Sequence, residues 1–169
     1  MEHNDEQTAR LDIRSAEGFA AAIKRIERLL FSASFAILRN RDACADVVQS
    51  ALMKAWKNRN SLKKREQFKS WMVQIVTNES KNYLRARKYL PLDENIPGRE
   101  QEQAKIDVER AVLRLPEAMR LIVMLYYFER YPVKDICAIL NLPEGTVHSR
   151  LSRAREQLRK ELPDYASKR

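Results

Sequence analysis

The chain is expected to be all-α: two small helical domains joined by a flexible linker, the C-terminal one carrying a helix-turn-helix. Three observations lead there. Apolar residues recur at helical spacing along most of the length. Only three glycines occur in 169 residues, so little interrupts those helices. One stretch, residues 89–106 (YLPLDENIPGREQEQAKI), holds two prolines, one glycine and four acidic residues with no sustained periodicity, as a linker does. It divides an N-terminal domain, residues 15–88, from a C-terminal domain, residues 107–162. A hydrophobic content of 44% is enough for two modest cores.

Residues 1–14 read as a loose polar tail. From Ser15, with Glu17 in the first turn, a helix runs to about Arg39 and buries Phe19, Ile23, Ile26, Leu30, Ala33 and Ile37. Asn40-Arg41-Asp42 breaks it, and a second helix follows to about Lys57. Val47, Val48, Ala51, Leu52 and Ala55 form its apolar face, beside a mixed surface of Asp46, Gln49, Ser50, Met53 and Trp56. The simplest roles for Trp56 and Asp46 are a core-closing ring and a solvated charge.

Asn58 to Gln67 (NRNSLKKREQ) is a basic loop. The third helix starts near Glu66 or Phe68 and runs to about Lys88, with Phe68, Met72, Ile75, Val76 and Leu84 toward the core. Trp71, Gln74, Asn78, Asn82 and Arg85 share another face at steps of three and four. Rings stack bases, amides bond base edges and cations track phosphates, so this face beside a lysine-rich loop suits melted DNA. Trp71 serves equally well as a core residue.

Beyond the linker, Val108, Ala111, Val112 and Leu115 begin a helix that Pro116 interrupts. Pro116-Glu117 opens another, with Met119, Ile122, Val123, Leu125, Tyr126 and Phe128. Pro132 to Leu140 then forms a short amphipathic helix on Val133, Ile136, Cys137 and Leu140. Asn141 to Gly145 (NLPEG) breaks it, with Leu142 able to return to the core. The last helix starts near Glu144, and Pro143 loses no intrahelical donor there. Val147, Leu151, Ala154 and Leu158 are its apolar stripe; Thr146, His148, Ser149, Arg150, Ser152, Arg153, Arg155 and Arg159 cover the rest. A short turn between two helices, the second basic and hydroxyl-rich, is a helix-turn-helix whose second helix fits the major groove. Arginine there reads guanine edges, and hydroxyls bind phosphate or base.

The formal charge of +9 implies an anionic partner, and its distribution is informative. Residues 54–88 hold eleven Lys and Arg against two acids, while residues 1–53 hold seven against eight. So focused a patch favours nucleic acid over general solubility. Cys44 and Cys137 lack metal-ligand spacing and read as small buried apolar residues. No run approaches the roughly 20 apolar residues that span a bilayer. The polar start MEHNDEQTAR is not a signal peptide, so a cytoplasmic protein without direct membrane insertion is expected.

Gly145 to Arg155 (GTVHSRLSRAR) closely resembles the promoter-reading helix of bacterial sigma factors, in particular the compact extracytoplasmic-function (ECF) group. That family usually has lysine at His148, glutamate at Asp135 and alanine at Cys137. The N-terminal half carries the resemblance independently. Asp46-Val47-Val48-Gln49 with Lys54-Ala55-Trp56 resembles the family's clamp-binding helix, although Ala45, Ser50 and Leu52 replace two usual glutamates and a phenylalanine. Phe68-Lys69-Ser70-Trp71-Met72 through Ile75, Asn78 and Arg85 resembles its −10-reading helix, with Asn82 in place of the usual aspartate. The resemblance spans about residues 19–161.

It implies a protein that is not an enzyme and needs no cofactor or metal. Such a protein binds core RNA polymerase and directs it to promoter DNA. By resemblance, Asp46, Gln49 and Trp56 lie on or near the polymerase-binding surface. Lys63, Lys64 and Arg65 in the loop, with Trp71, Asn78, Lys81 and Arg85, take the −10 element. Thr146, His148, Ser149, Arg150 and Arg153 read the −35 element. The acidic linker threads near the polymerase's RNA channel. Family members are commonly held inactive by an anti-sigma factor, often membrane-bound. Two rival readings exist. A DNA-binding regulator that works without polymerase leaves Asp46 to Trp56 unexplained. An enzyme acting on nucleic acid lacks a phosphate-binding glycine loop, metal-ligand spacing, and any histidine beyond His3 and His148.

Overall fold

The computed structural model describes residues 11–87 and 103–162, with side chains from residue 108 onward in the second block. Among these residues every regular element is helical. The N-terminal half comprises α1 (Ala16–Leu38), α2 (Arg41–Asn58) and α3 (Phe68–Arg87). The C-terminal half comprises α4 (Gln103–Arg114), α5 (Glu117–Val123), α6 (Val133–Leu140) and α7 (Glu144–Glu161).

Local chemistry sets the helix ends. The Ser15 hydroxyl caps α1 by accepting from the Gly18 amide at 3.0 Å, while donating to the Asp12 carbonyl at 2.9 Å. Gly18 has to be glycine, because a Cβ there would lie 2.1 Å from that same carbonyl oxygen. Arg39 ends α1 in the left-handed region at φ 56°, its amide donating to the Phe35 carbonyl. One residue later, the Asn40 side chain caps α2 through the Ala43 amide at 2.8 Å. Two short 3₁₀ turns, Arg59–Ser61 and Arg65–Gln67, occupy the basic loop before α3.

α1, α2 and α3 pack against one another in all three pairings. Phe19 sits at their centre, edge-on to Trp56 at 5.3 Å and to Phe68 at 5.9 Å. Such aromatic pairs contribute about 0.5–1.5 kcal/mol beyond the area they bury. Ile13 joins this core at 2% exposure, so the chain is packed from residue 11 rather than forming a loose tail up to residue 14. Residues 1–10 lie outside the described residues. Leu84 also departs from expectation: it is 41% exposed, in the last turn of α3.

In the C-terminal half, α5 and α6 pack on α7, which buries Val147, Leu151 and Ala154. A π-helical turn, Met124–Phe128, follows α5 and carries Tyr126, Tyr127 and Phe128 on its exposed side, while Leu125 is buried. α4 begins at Gln103, so residues 103–106 are helical rather than linker. The linker expectation for residues 89–102 falls outside the described residues.

The two halves share one buried apolar cluster, running from Ile13 to Val76 and from Val112 to Ala154. α1 packs on α5 and the π-helical turn, and α3 packs on α6. Polar groups bridge the same seam. Glu129 accepts from the Ser32 hydroxyl at 2.7 Å and faces Arg28 at 3.6 Å. Lys81 pairs with Glu117 at 3.3 Å, and the Lys69 ammonium lies 5.1 Å from the Tyr131 ring centre. Arg120, 2% exposed, donates to the carbonyls of Ala36 in α1 and Leu113 in α4. Burial, then the neighbouring charge of Arg39, lowers the Arg120 pKa.

Candidate nucleic-acid interface

α7 presents its sequence-predicted face cleanly. With Val147, Leu151 and Ala154 turned into the core, His148, Ser149 and Arg153 are exposed, and Thr146 and Arg150 are half-buried. The Ser149 hydroxyl donates to the Thr146 carbonyl at 3.0 Å, which leaves its lone pairs facing outward. The His148 ring nitrogen lies 3.4 Å from a Glu144 carboxylate oxygen, one turn earlier. No side chain caps the start of α7, and a Cβ on Gly145 would meet nothing within 4 Å. The backbone there is open to a phosphate oxygen.

α3 carries the second predicted face. Gln74, Asn78, Lys81, Asn82 and Arg85 are exposed, and Trp71 is half-buried with its ring 6.2 Å from that of Phe68. Trp71 therefore serves both readings: one side belongs to the core, and the other opens on the polar face. Lys63 and Lys64 are exposed on the loop, while Arg65 lies 3.3 Å from Asp12. That pair is exposed on both sides, so it holds Arg65 only weakly against a phosphate competitor.

The third group lies on α2. Asp46 and Gln49 are exposed one turn apart. Trp56 is half-buried: it packs on Phe19, and its outer face is covered by the Arg59 guanidinium at 3.6 Å. Sequence reasoning placed Met53 on this mixed surface but assigned it no role in binding; it is 57% exposed between Gln49 and Lys57. The signal was its position, four residues after Gln49 and seven after Asp46, on a face that otherwise reads as polar. A flexible thioether there gives the polar patch an apolar centre, as a docking surface requires.

The three groups do not converge on one pocket among the described residues. Among the described residues no three His, Cys, Asp or Glu side chains cluster to hold a metal ion. No helix among them is long and apolar enough to cross a membrane. The arrangement offers extended polar and cationic faces.

Comparison with known proteins agrees on both halves. Residues 17–89 match the family model for sigma-70 region 2, and residues 105–158 match that for sigma-70, region 4. The ECF RNA polymerase sigma factor SigW of Bacillus subtilis is 28% identical over 170 residues, covering 88% of this chain and 90% of SigW. The ECF RNA polymerase sigma-E factor of Haemophilus influenzae is 31% identical over 140 residues, 70% of this chain and 74% of that protein. The chain spans only 40% of the length of a third relative, the probable sigma factor RfaY of Xanthomonas campestris, at 27% identity over 86% of this chain. Among solved structures, the sigma factor RpoE of Bartonella quintana, in complex with the anti-sigma factor NepR, superimposes with a TM-score of 0.68. That match has 24% identity and covers 91% of this chain and 100% of RpoE, and it shows the same fold. Sigma-70 region 2 and region 4 are present in that order, and the chain belongs to the ECF group of RNA polymerase sigma factors, proteins of promoter recognition and transcription initiation.

Proposed function

We propose that residues 15–88 form the module that binds polymerase and the −10 element, and residues 107–162 the module that reads the −35 element. The stretch between them, up to the start of α4 at Gln103, would link the two. The observation that carries this reading is the face of α7. Three polar side chains, His148, Ser149 and Arg153, are exposed on a helix whose opposite side is fixed by buried Val147, Leu151 and Ala154. A helix so anchored presents its side chains in one register to a major groove.

In this reading Thr146, His148, Ser149, Arg150 and Arg153 contact the −35 element. Trp71, Asn78, Lys81 and Arg85 take the −10 element, and Lys63, Lys64 and Arg65 hold its phosphates. Asp46, Gln49 and Trp56, with Met53 added, face the polymerase. Each small domain binds DNA weakly by itself; polymerase fixes their spacing, so that avidity supplies the affinity. The protein acts by binding and positioning and carries out no catalytic step of its own. Its place of action is the cytoplasm, where polymerase and promoter are. The RpoE structure contains an anti-sigma factor. We infer a partner of that kind for this chain too, seated over its polymerase-facing surfaces.

Run-off transcription with purified core polymerase on a random promoter pool tests the reading. The chain should select templates sharing two short elements at fixed spacing, and a pool returned without any shared element would end the proposal. Arg150→Ala or Arg153→Ala should cost about 1–3 kcal/mol at one −35 base pair where the contact is bidentate to guanine. Alanine at Lys63, Lys64 and Arg65 together should weaken binding to all sequences alike and flatten the salt dependence.

A further inference from the structure

The basic loop between α2 and α3 carries Lys63, Lys64 and Arg65 in a row, and its only regular elements are two three-residue 3₁₀ turns. Like charges repel, and so short a loop would sample many conformations unless contacts from outside fixed one. The turn before α1 supplies those contacts. Arg59, at the start of the loop, donates from Nε to the Arg14 carbonyl at 3.1 Å and from a terminal nitrogen to the Trp56 carbonyl at 2.6 Å. The same guanidinium lies over the Trp56 ring, 3.6 Å from its centre. Toward the other end of the loop, Arg65 meets the Asp12 carboxylate at 3.3 Å. Asp12 and Arg14 therefore grip the loop on both sides of Leu62, which packs on the main apolar cluster.

That turn is held rigid by contacts of its own. Ile13, between the two gripping residues, is buried in the core. The Ser15 hydroxyl donates to the Asp12 carbonyl at 2.9 Å, and the Asp12 carboxylate accepts from the Arg14 amide at 3.3 Å. Gly18 sits so close to the Asp12 carbonyl that no Cβ fits between them. We propose that residues 11–15 are a strut for the basic loop, with Asp12 and Arg59 as positioning residues that act through Lys63, Lys64 and Arg65. The proposal rests on the assignment of those three side chains to the phosphates of the −10 element.

The two grips differ in strength, and the difference gives each its task. Arg65 and Asp12 are 44% and 57% exposed, so their pair is weak and a phosphate can take Arg65 from it. Asp12 thus aims Arg65 without keeping it, and its charge repels a phosphate that arrives out of register. Arg59 is the permanent grip. Replacing its guanidinium removes two charge-assisted hydrogen bonds and a ring contact together. Lysine keeps the charge but not the planar fork that serves both carbonyls over the ring. One substitution therefore separates charge from positioning.

The test compares the unmodified chain with Asp12→Asn and Arg59→Lys, each at saturating core polymerase, on −10 single strands that differ at one base. Asparagine still accepts from the Arg14 amide, so the turn survives and only the charge goes. Asp12→Asn should bind every strand slightly more tightly, while its preference for the best base falls about two- to fivefold. Arg59→Lys should lose about tenfold in preference with an unchanged salt slope, because the net charge is the same. Base preferences equal to the unmodified chain's in both variants would overturn the proposal. Hydrogen exchange on the free chains reads the strut without DNA. The Leu62 and Gln67 amides, which donate to the Arg59 and Lys64 carbonyls, should exchange about tenfold faster in Arg59→Lys while the amides of α1 and α3 keep their rates. Unchanged loop exchange would also overturn the strut. If Arg59→Lys does not fold, Asp12→Asn at its exposed position decides by both measurements. An unmodified chain without any base preference would remove the −10 assignment, and loop exchange would still decide the strut.

Discussion

Arg39 and Arg130 both occupy the left-handed backbone region, at φ 56° and 60°. A side chain there costs about 1–2 kcal/mol, of which glycine's extra freedom in the unfolded chain offsets about 0.5–1. Glycine at either position should therefore stabilise the protein by up to about 1 kcal/mol. Arg39 carries a second penalty, since its charge lowers the pKa of buried Arg120. Arg39→Gly should accordingly gain more than Arg130→Gly in urea unfolding, and equal gains would show that the repulsion between the two arginines is negligible. Cysteine behaviour follows from burial in the same way. Desolvation raises the Cys44 pKa against weaker opposing contributions from Ser34, Asn40 and Arg41. A thiol reagent should label half-buried Cys137 well before Cys44 in the folded protein. The unfolded chain releases the Cys44 proton first as pH rises, so this residue's contribution is full below the ordinary thiol pKa and fades through the alkaline range above it. A stability profile that climbed there would contradict the burial.

At the scale of elements, the start of α1 shows how much one helix end depends on close contact. Ser15→Ala removes a cap and should cost about 1 kcal/mol. Gly18→Ala should cost more, because its Cβ meets backbone at 2.1 Å rather than a movable side chain. Thermal unfolding of the two variants ranks them, and the reverse order would mean that the Asp12 turn yields freely. Periodicity made α1, α2, α3, α6 and α7 legible to within a residue or two, because each has a continuous apolar stripe and a polar breaker at its ends. Ser15, Asn40 and the Asn141 to Gly145 turn supplied those breakers. Ile13 was not legible: a single apolar residue in a polar stretch carries no period, and only the turn through Asp12 aims it inward. Met53 was visible on the mixed surface of α2, but one apolar residue among polar ones carries no period that would mark it as a contact. The exposed polar side of α7 was legible because an amphipathic helix of known core stripe leaves only one side to present.

Linker composition announced two modules, but how they seat against each other could not be read from the chain. Arg120, Glu117 and Glu129 look like ordinary surface charges on helices. Their partners stand far off in sequence, 84 residues away for Arg120 with Ala36 and 97 for Glu129 with Ser32. No local pattern encodes a bond at that separation. Its consequence can be measured on the whole molecule. Two independent domains would unfold independently, whereas halves that share one buried cluster should unfold as a unit. The intact free chain should therefore melt in a single calorimetric transition, with calorimetric and van't Hoff enthalpies in agreement. Two resolved transitions for the free chain would mean that the seam contributes too little to couple them, and that the shared apolar cluster is a contact of convenience between domains that fold alone.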